Sequence, residues 1–276
     1  MRYQHLQSKH DVEFKRLCGV KRHTFEVMRQ ALQTAEAAKT KPGRPRALRL
    51  EDQLLMTLLY WRQYGTLLHL GAAVGVSEGT ASRRVRWVED VLVKSGRFAL
   101  PKRRTRFAAL MGQRKVVALD ATDSPIERPK KKQRRFYSGK CKRHTLKSQV
   151  LIDRHSGRIL ATACAPGRCH DLRLYRTSGP RLPQDIDVLV DLGYQGLQYE
   201  HARTVLPFKA TPKRPLEAVA RAVNRLQARL RIMVEHVIRR LKVFWILARP
   251  YRNRRRRFGL RLNLIAGICN FELERS

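Results

Sequence analysis

Three carboxylates stand out in a very basic chain. The strand-like run Val116-Val-Ala-Leu-Asp120 ends in one acid and Val188-Leu-Val-Asp191 in a second, while Glu235 is the lone acid between Glu217 and Glu272, on an arginine-rich helical stretch. Hard divalent cations prefer oxygen ligands, and two of them about 3.5–4 Å apart activate a water and stabilise the leaving oxygen of an in-line displacement. Three carboxylates are a donor set for such a pair, and the chemistry they imply is the cutting of phosphodiesters.

The charge balance agrees with a polyanionic substrate. The 276 residues carry 59 Lys and Arg against 22 Asp and Glu, a formal charge of +37. Such an excess is suited to neutralising phosphates with release of counterions, although ribosomal or membrane-surface binding would use the same charge. At 43% hydrophobic content the chain can bury a sizeable core of one or two domains. No apolar run reaches the roughly 18 residues of a membrane span, and the N-terminus lacks the apolar stretch of a signal peptide, so a cytoplasmic protein without membrane contact is expected. Cys18, Cys141, Cys164, Cys169 and Cys269 are odd in number and never form Cys-x-x-Cys. Cys164, Cys169 and His170 lack a second ligand pair for zinc, and neither a disulfide nor a structural metal is expected.

The elements that must position the acids can be sketched from periodicity. Residues 1–47 read as short helices followed by the basic linker Lys39-Thr-Lys-Pro-Gly-Arg-Pro-Arg46; its Gly43-Arg44-Pro45 is similar to a minor-groove hook, though three residues make a weak motif and a plain basic linker is the favoured reading. Residues 48–97 form a tight helical pattern: a first helix with Leu54, Leu55, Leu58 and Leu59 buried, a short one over Thr66–Val74, an interruption at Gly75-Val76-Ser77, and a third capped by Ser77. Ala81, Val85, Val88 and Leu92 fall on its inner face and leave Glu78, Ser82, Arg83 and Arg86 outside. This is a helix-turn-helix layout, in which the second helix of the pair enters the major groove. A three-helix cap with solvated arginines is the plainer alternative.

A basic connector leads into residues 112–276, the expected catalytic domain. Strands are expected over Lys115–Asp120, Gln149–Asp153, Ile159–Ala163, Asp187–Asp191 and Thr204–Phe208, with a helix at Asp171–Thr177. Strands, then alternating helix and strand, then a long helix make an α/β fold with helices packed on a mixed sheet. The long helix is expected over 216–246. At about 100° per residue, Leu226, Leu230, Met233, Val237, Leu241 and Phe244 make an apolar stripe, while Asn224, Arg231, Glu235 and Lys242 cluster on another face. Glu235 can thus reach a site at the sheet edge with positive charge on both sides, or be no more than the partner of Arg231 in an i, i+4 pair.

The wording around these acids resembles a known family. The runs Ala118-Leu-Asp120-Ala-Thr-Asp123-Ser-Pro-Ile126, Tyr137-Ser-Gly-Lys140, Lys142-Arg-His-Thr-Leu-Lys147, Pro166-Gly with His170-Asp171, Asp191-Leu-Gly-Tyr-Gln-Gly196, and Arg231, Glu235-His236 and Lys242 are similar in order to DDE transposases of bacterial insertion sequences. The insertion-sequence-five family and its Harbinger relatives match best, from about Asp11 to Phe271. The resemblance implies a ribonuclease-H-like catalytic domain behind the all-helical helix-turn-helix domain, with Asp120, Asp191 and Glu235 as ligands of Mg2+ or Mn2+, two ions at a site. Spacings of 71 and 44 residues between the acids fit that arrangement without a large inserted domain. Two positions depart from the pattern: Ala121 follows the first aspartate where many relatives have glycine, and Ala228 stands where the wider group carries tyrosine.

Asp123 and Asp171 remain rival acids, Asp171 also as a helix cap. Lys140, Lys142, Arg143, His144, Arg231 and Lys242 are the expected phosphate contacts, joined by Arg44, Ser82, Arg83 and Arg86 from the N-terminal part. His144 and His170 suit phosphate better than magnesium, which disfavours imidazole. The function implied is binding of terminal inverted repeats, cleavage at the element's ends and joining of the 3′-hydroxyls to target DNA by a homodimer on double-stranded DNA. The alternatives are a domesticated DNA-binding protein that no longer cuts, and a metal-dependent nuclease without strand transfer.

Overall fold

The computed structural model of the protein describes residues 2–40, 46–101, 115–178, 180–211 and 215–274. Arg44 lies outside them. In chain order the elements are α1 (Gln4–Gln7), α2 (Asp11–Cys18), α3 (Arg22–Ala37), α4 (Leu50–Gln63), α5 (Leu67–Val74), α6 (Glu78–Lys94), β1 (Val116–Pro125), α7 (Gln133–Phe136), β2 (Tyr137–Ser138), β3 (Arg143–Asp153), β4 (Ile159–Pro166), α8 (Asp171–Ser178), β5 (Asp187–Leu189), β6 (Thr204–Val205), α9 (Ala218–Lys242) and α10 (Phe258–Leu273). They form two compact units. One comprises Met1–Ala99, Leu241–Arg249 and Leu260–Ser276, the other Leu100–Arg240 and Pro250–Gly259. The linear division expected from sequence placed all of 112–276 in one domain; the contacts instead return the C-terminal helix to the N-terminal unit.

In the first unit, α4, α5 and α6 have the bounds that periodicity predicts. The turn between α5 and α6 depends on two glycines. Gly75 ends α5 at φ +80°, a conformation that costs glycine little, and Gly71 packs so closely that a Cβ would meet the Val76 carbonyl oxygen at 2.6 Å. Ser77 then caps α6, its Oγ accepting from the Thr80 N–H at 3.3 Å. Ala81, Val85, Val88 and Leu92 are buried as expected.

The sequence reading did not assign the helix α10, which locks this unit from behind. Arg261 on α10 donates from Nε to Glu89 Oε1 on α6 at 2.7 Å, and Trp61 Nε1 on α4 donates to the same oxygen at 3.1 Å. Both charged side chains are buried, at 4% and 0% exposure, so this is an ion pair inside the core rather than on its surface. Gly267 lets α10 approach the backbone of Phe98 more closely than any side chain would allow. At the far end of α10, Glu272 accepts from the backbone N–H of Lys21 and from Thr24 Oγ1.

The second unit is built on one mixed sheet. Its main order is β4-β3-β1-β5-β6, with β2 also pairing β3. β1 lies antiparallel to β3 and parallel to β5, and β5 is parallel to β6. One face carries Val117, Leu119 and Leu151 in a core with Leu172 and Tyr175 of α8 and with Val188, Val190, Tyr194 and Leu197.

Two strands differ from expectation in a way that matters for the acids. β1 does not end at Asp120 but runs on to Pro125, because the polar residues Ala121–Ser124 still pair in unbroken register with Ser148, Gln149 and their neighbours on β3. β5 stops at Leu189 rather than Asp191, where the chain turns into a 3-10 helix over Leu192–Tyr194. The strand expected over Thr204–Phe208 is only Thr204–Val205.

The long helix also corrects its expected outline. It spans Ala218–Lys242, and the chain then passes to a 3-10 turn at Trp245–Leu247. Only the C-terminal half of the predicted apolar stripe is covered: Val237 and Leu241 are buried, while Leu226 and Leu230 are exposed. Asn224, expected to share the face of Glu235, instead brackets Phe208, accepting from its N–H at 2.8 Å and donating to its carbonyl at 3.0 Å.

Candidate active site

Register brings the two aspartates level. The parallel pairing of β1 with β5 ends at Ala118 opposite Leu189, and Asp120 and Asp191 each lie two residues further along. Beyond that point β1 keeps β3 on one side only, and both aspartates lie past the C-terminal end of the β1–β5 pairing, the end of the strands where open α/β sheets commonly take their ligands. Asp191 caps the following 3-10 turn, its Oδ1 accepting from the Gly193 N–H at 2.9 Å. Asp120 Oδ1 accepts from the N–H of Ala121 at 2.7 Å.

Burial pushes the Asp120 carboxyl up to about 6; the Ala121 N–H opposes this, the charge of Asp191 adds to it, Arg231 opposes it and Asp171 adds a little more. The site is therefore a sunken cluster of negative charge, with Arg231 of α9 as the cation whose field reaches Asp120. The Arg231 Nε is buried with no hydrogen-bond partner among the described residues, so this nitrogen is not already engaged. Tyr194 lies buried beneath the cluster, its hydroxyl donating to Gln149 Oε1 at 3.3 Å. Burial, and then the charges of Asp171, Asp120 and Asp191, hold its phenol well above the usual range.

The rival aspartates separate clearly. Side chains alternate across a strand, so Asp123, three residues after Asp120, points from the opposite face of β1. There it accepts from Thr145 Oγ1 at 2.6 Å and faces the Cys141 thiol at 3.5 Å. Asp171 at the start of α8 stands beside Asp191: a Cβ built on Gly193 would strike the Asp171 carboxylate and sit 3.0 Å from Asp191 Oδ1. Gly193 thus leaves the two carboxylates the space they share. Lys147 Nζ pairs with Asp171 and partly offsets its charge. Sequence reasoning gave Lys147 and Tyr194 no roles; the ion pair of Lys147 with Asp171 and the loop after β5 supply them.

Glu235 is exposed, one helical turn beyond Arg231, and Lys242 is half-buried at the end of the same helix. Among the described residues no three His, Cys, Asp or Glu side chains stand close enough to hold a metal ion. Asp120 and Asp191 nevertheless fit a hard divalent cation: both offer carboxylate oxygen, and a buried acid that protonates near 6 for want of compensation is one that a cation would relieve.

The remaining predicted contacts lie on the surface. Lys140, Lys142 and Arg143 are exposed around the β2–β3 hairpin, Lys142 at φ +51°, and His144 packs edge-on against Tyr137 with ring centroids 5.6 Å apart. On α6, Arg83 and Arg86 are exposed and Ser82 is half-buried. Arg83 donates to Thr80 Oγ1 at 3.2 Å, which orients it toward the N-terminal turn of the helix.

The chain thus joins an αβ unit, in which two aspartates lie level past the end of paired parallel strands, to a helical unit with a helix-turn-helix layout, a make-up suited to acting on nucleic acid. A family profile described as "DDE superfamily endonuclease" matches residues 119–270, and one described as "Helix-turn-helix of DDE superfamily endonuclease" matches residues 46–98. The chain belongs to this superfamily, among the DDE transposases of bacterial insertion sequences. It is 45% identical over 261 residues to a protein of Microchaete diplosiphon named as a probable transposase for insertion sequence element IS702, covering 95% of this chain and 94% of the relative. It is 27% identical over 233 residues to a protein of Streptomyces albus G whose name ties it to insertion sequence element IS112, covering 83% of each. No helix among the described residues is long and apolar enough to cross a membrane.

Proposed function

We propose that this protein binds the terminal inverted repeats of its insertion sequence, cuts the DNA at the element's ends and joins the freed 3′-hydroxyls to target DNA. The observation that carries this reading is the level placement of Asp120 and Asp191 two residues past the last β1–β5 pair, with the charge of Arg231 acting on the first of them. The sheet order, three antiparallel strands followed by two parallel ones, supports a ribonuclease-H-like catalytic fold.

Asp120, Asp191 and Glu235 are the proposed ligands of Mg2+ or Mn2+, two ions in all. Bound there, the ions supply an activated water for hydrolysis and neutralise charge on the leaving oxygen. Arg231 and Lys242 hold the DNA phosphate, and Lys140, Lys142, Arg143 and His144 track the backbone beside it. Asp171 is a second reading for the third carboxylate, favoured by its place against Asp191 at Gly193. The working species is a homodimer on double-stranded DNA in the cytoplasm, since two ends must be paired. Incubating pure protein with Mg2+, a labelled element end and a supercoiled plasmid tests the reading. Cut ends and joined products are expected; bound but uncut DNA would instead indicate a binding protein, and cutting without joining a nuclease.

Two further outcomes follow. Arg231→Ala should slow cleavage by about 10- to 100-fold with metal affinity nearly intact, because its charge is assigned to phosphate. A metal titration in which Arg231→Ala fails as badly as Asp120→Ala would contradict that division of roles. Replacing Arg83 and Arg86 together by alanine should cost about 1–3 kcal/mol in binding to an element end if either reads a guanine, or flatten the salt dependence if they contact phosphate. Equal affinity at every salt concentration would remove α6 from the interface.

A further inference from the structure

The second unit carries a groove of about 700 Å³ between the end of β4 and α8, lined by Arg135, Arg168, His170 and Arg173 with Cys164 and Cys169. Its three guanidinium groups are exposed, and among the described residues none of them pairs with a carboxylate. Some cations on this unit do pair. Lys115 pairs with Asp185, Arg203 with Asp187, and Arg176, one turn along α8 from Arg173, with Glu200. The cluster is held rather than scattered: the Arg168 N–H donates to the Arg135 carbonyl at 3.4 Å, tying α7 to the loop after β4. Arg255 stacks on Phe136, the chain neighbour of Arg135, at 4.4 Å.

We propose that this groove seats a stretch of DNA sugar-phosphate backbone, a binding site separate from the acid cluster. Three unbalanced guanidinium groups repel one another unless a polyanion neutralises them, and each can grip a phosphate through two parallel N–H bonds. A lone phosphate would leave a groove of this size mostly unfilled, whereas several linked nucleotides occupy its length. His170 directly precedes Asp171, whose carboxylate lies beside Asp191, so backbone held here runs to the edge of the acid cluster. The inference rests on the reading that the chain processes DNA. The backbone can come from the element's end or from the target, and the two give different results.

The test uses the full chain carrying Asp120→Ala, so that nothing is cut, and measures fluorescence anisotropy between 50 and 200 mM salt. One labelled duplex carries the element's terminal repeat, and the other, of equal length and unrelated sequence, stands for target. The variant Arg135→Ala/Arg168→Ala/Arg173→Ala should bind at least 10-fold more weakly, with the log–log salt slope reduced by about 2–3. Lysine at the same three positions should retain most of the affinity, and Arg176→Ala should change nothing. Loss confined to the repeat duplex assigns the groove to the element's end, loss confined to the unrelated duplex to the target, and loss on both to either. Unchanged affinity and slope on both duplexes overturn the proposal. If the triple alanine chain does not fold, Arg173→Ala alone reads the same way, with a slope change of about one. Because the readout is binding, absence of cleavage by the unaltered chain would defeat the proposed function and leave this result standing.

Discussion

Asp120→Ala and Asp191→Ala are each expected to abolish Mg2+- or Mn2+-dependent cleavage and joining, by 10³-fold or more, while leaving binding to element ends intact. The physical reason is their level position past the C-terminal end of β5, where the charge of Asp191 acts on Asp120 and Arg231 offsets only part of it. Recognition is assigned to α6 on the other unit, so affinity for DNA should not follow the loss of chemistry. The third carboxylate is decided by the same assay. Glu235→Ala should be as inactive as the aspartate variants and Asp171→Asn should keep partial activity; the reverse would move the third ligand to Asp171, and Lys147 with it into the site. Asp123→Asn should remain active, since its side chain leaves the opposite face of β1 and is held by Thr145. A dead Asp123→Asn beside an active Asp120→Ala would falsify the strand register on which the site is built. Ca2+ should support DNA binding without efficient chemistry, as its looser coordination positions an attacking water poorly.

The second large effect concerns stability. Glu89→Ala should destabilise the first unit by about 3–5 kcal/mol, because it removes the carboxylate paired with Arg261 in a buried site and the acceptor of the Trp61 indole N–H. Glu89→Gln, which keeps an acceptor for both donors, should cost less. Replacing Glu89 and Arg261 together by apolar residues of similar size should recover much of the loss, as buried pairs often contribute little beyond what good packing would. Chemical denaturation followed by far-ultraviolet circular dichroism measures all three. A Glu89→Ala chain as stable as the parent would mean that water reaches Arg261 and that α10 is not locked as described. Since Glu89 belongs to α6, loss of this pair should also weaken binding to element ends, without any change in the outward face of that helix.

Much of the first unit was legible because its signals are local. Apolar spacing, the glycine at position 75 and the cap at Ser77 act within a few residues, and α4, α5 and α6 follow them closely. The acids Asp120 and Asp191 and the wording around them identified the family for the same reason: the motif is written in the chain itself. The extension of β1 past Asp120 was not legible, since a run of Ala, Thr, Asp, Ser and Pro has no strand pattern of its own and pairs only because β3 offers it partners across the full register. That extension is what turns Asp123 away from Asp120.

By itself, then, the sequence determined the helix-turn-helix, the polyanion-seeking charge and two of the acids. Only the tertiary structure decided that α10 returns to clamp the N-terminal unit through Glu89 and Arg261, residues 172 positions apart. It alone set Asp171 against Asp191 across Gly193, and showed half of the α9 stripe exposed to solvent. Each of these depends on which distant residue occupies the neighbouring space, and no periodicity or spacing along the chain carries that information.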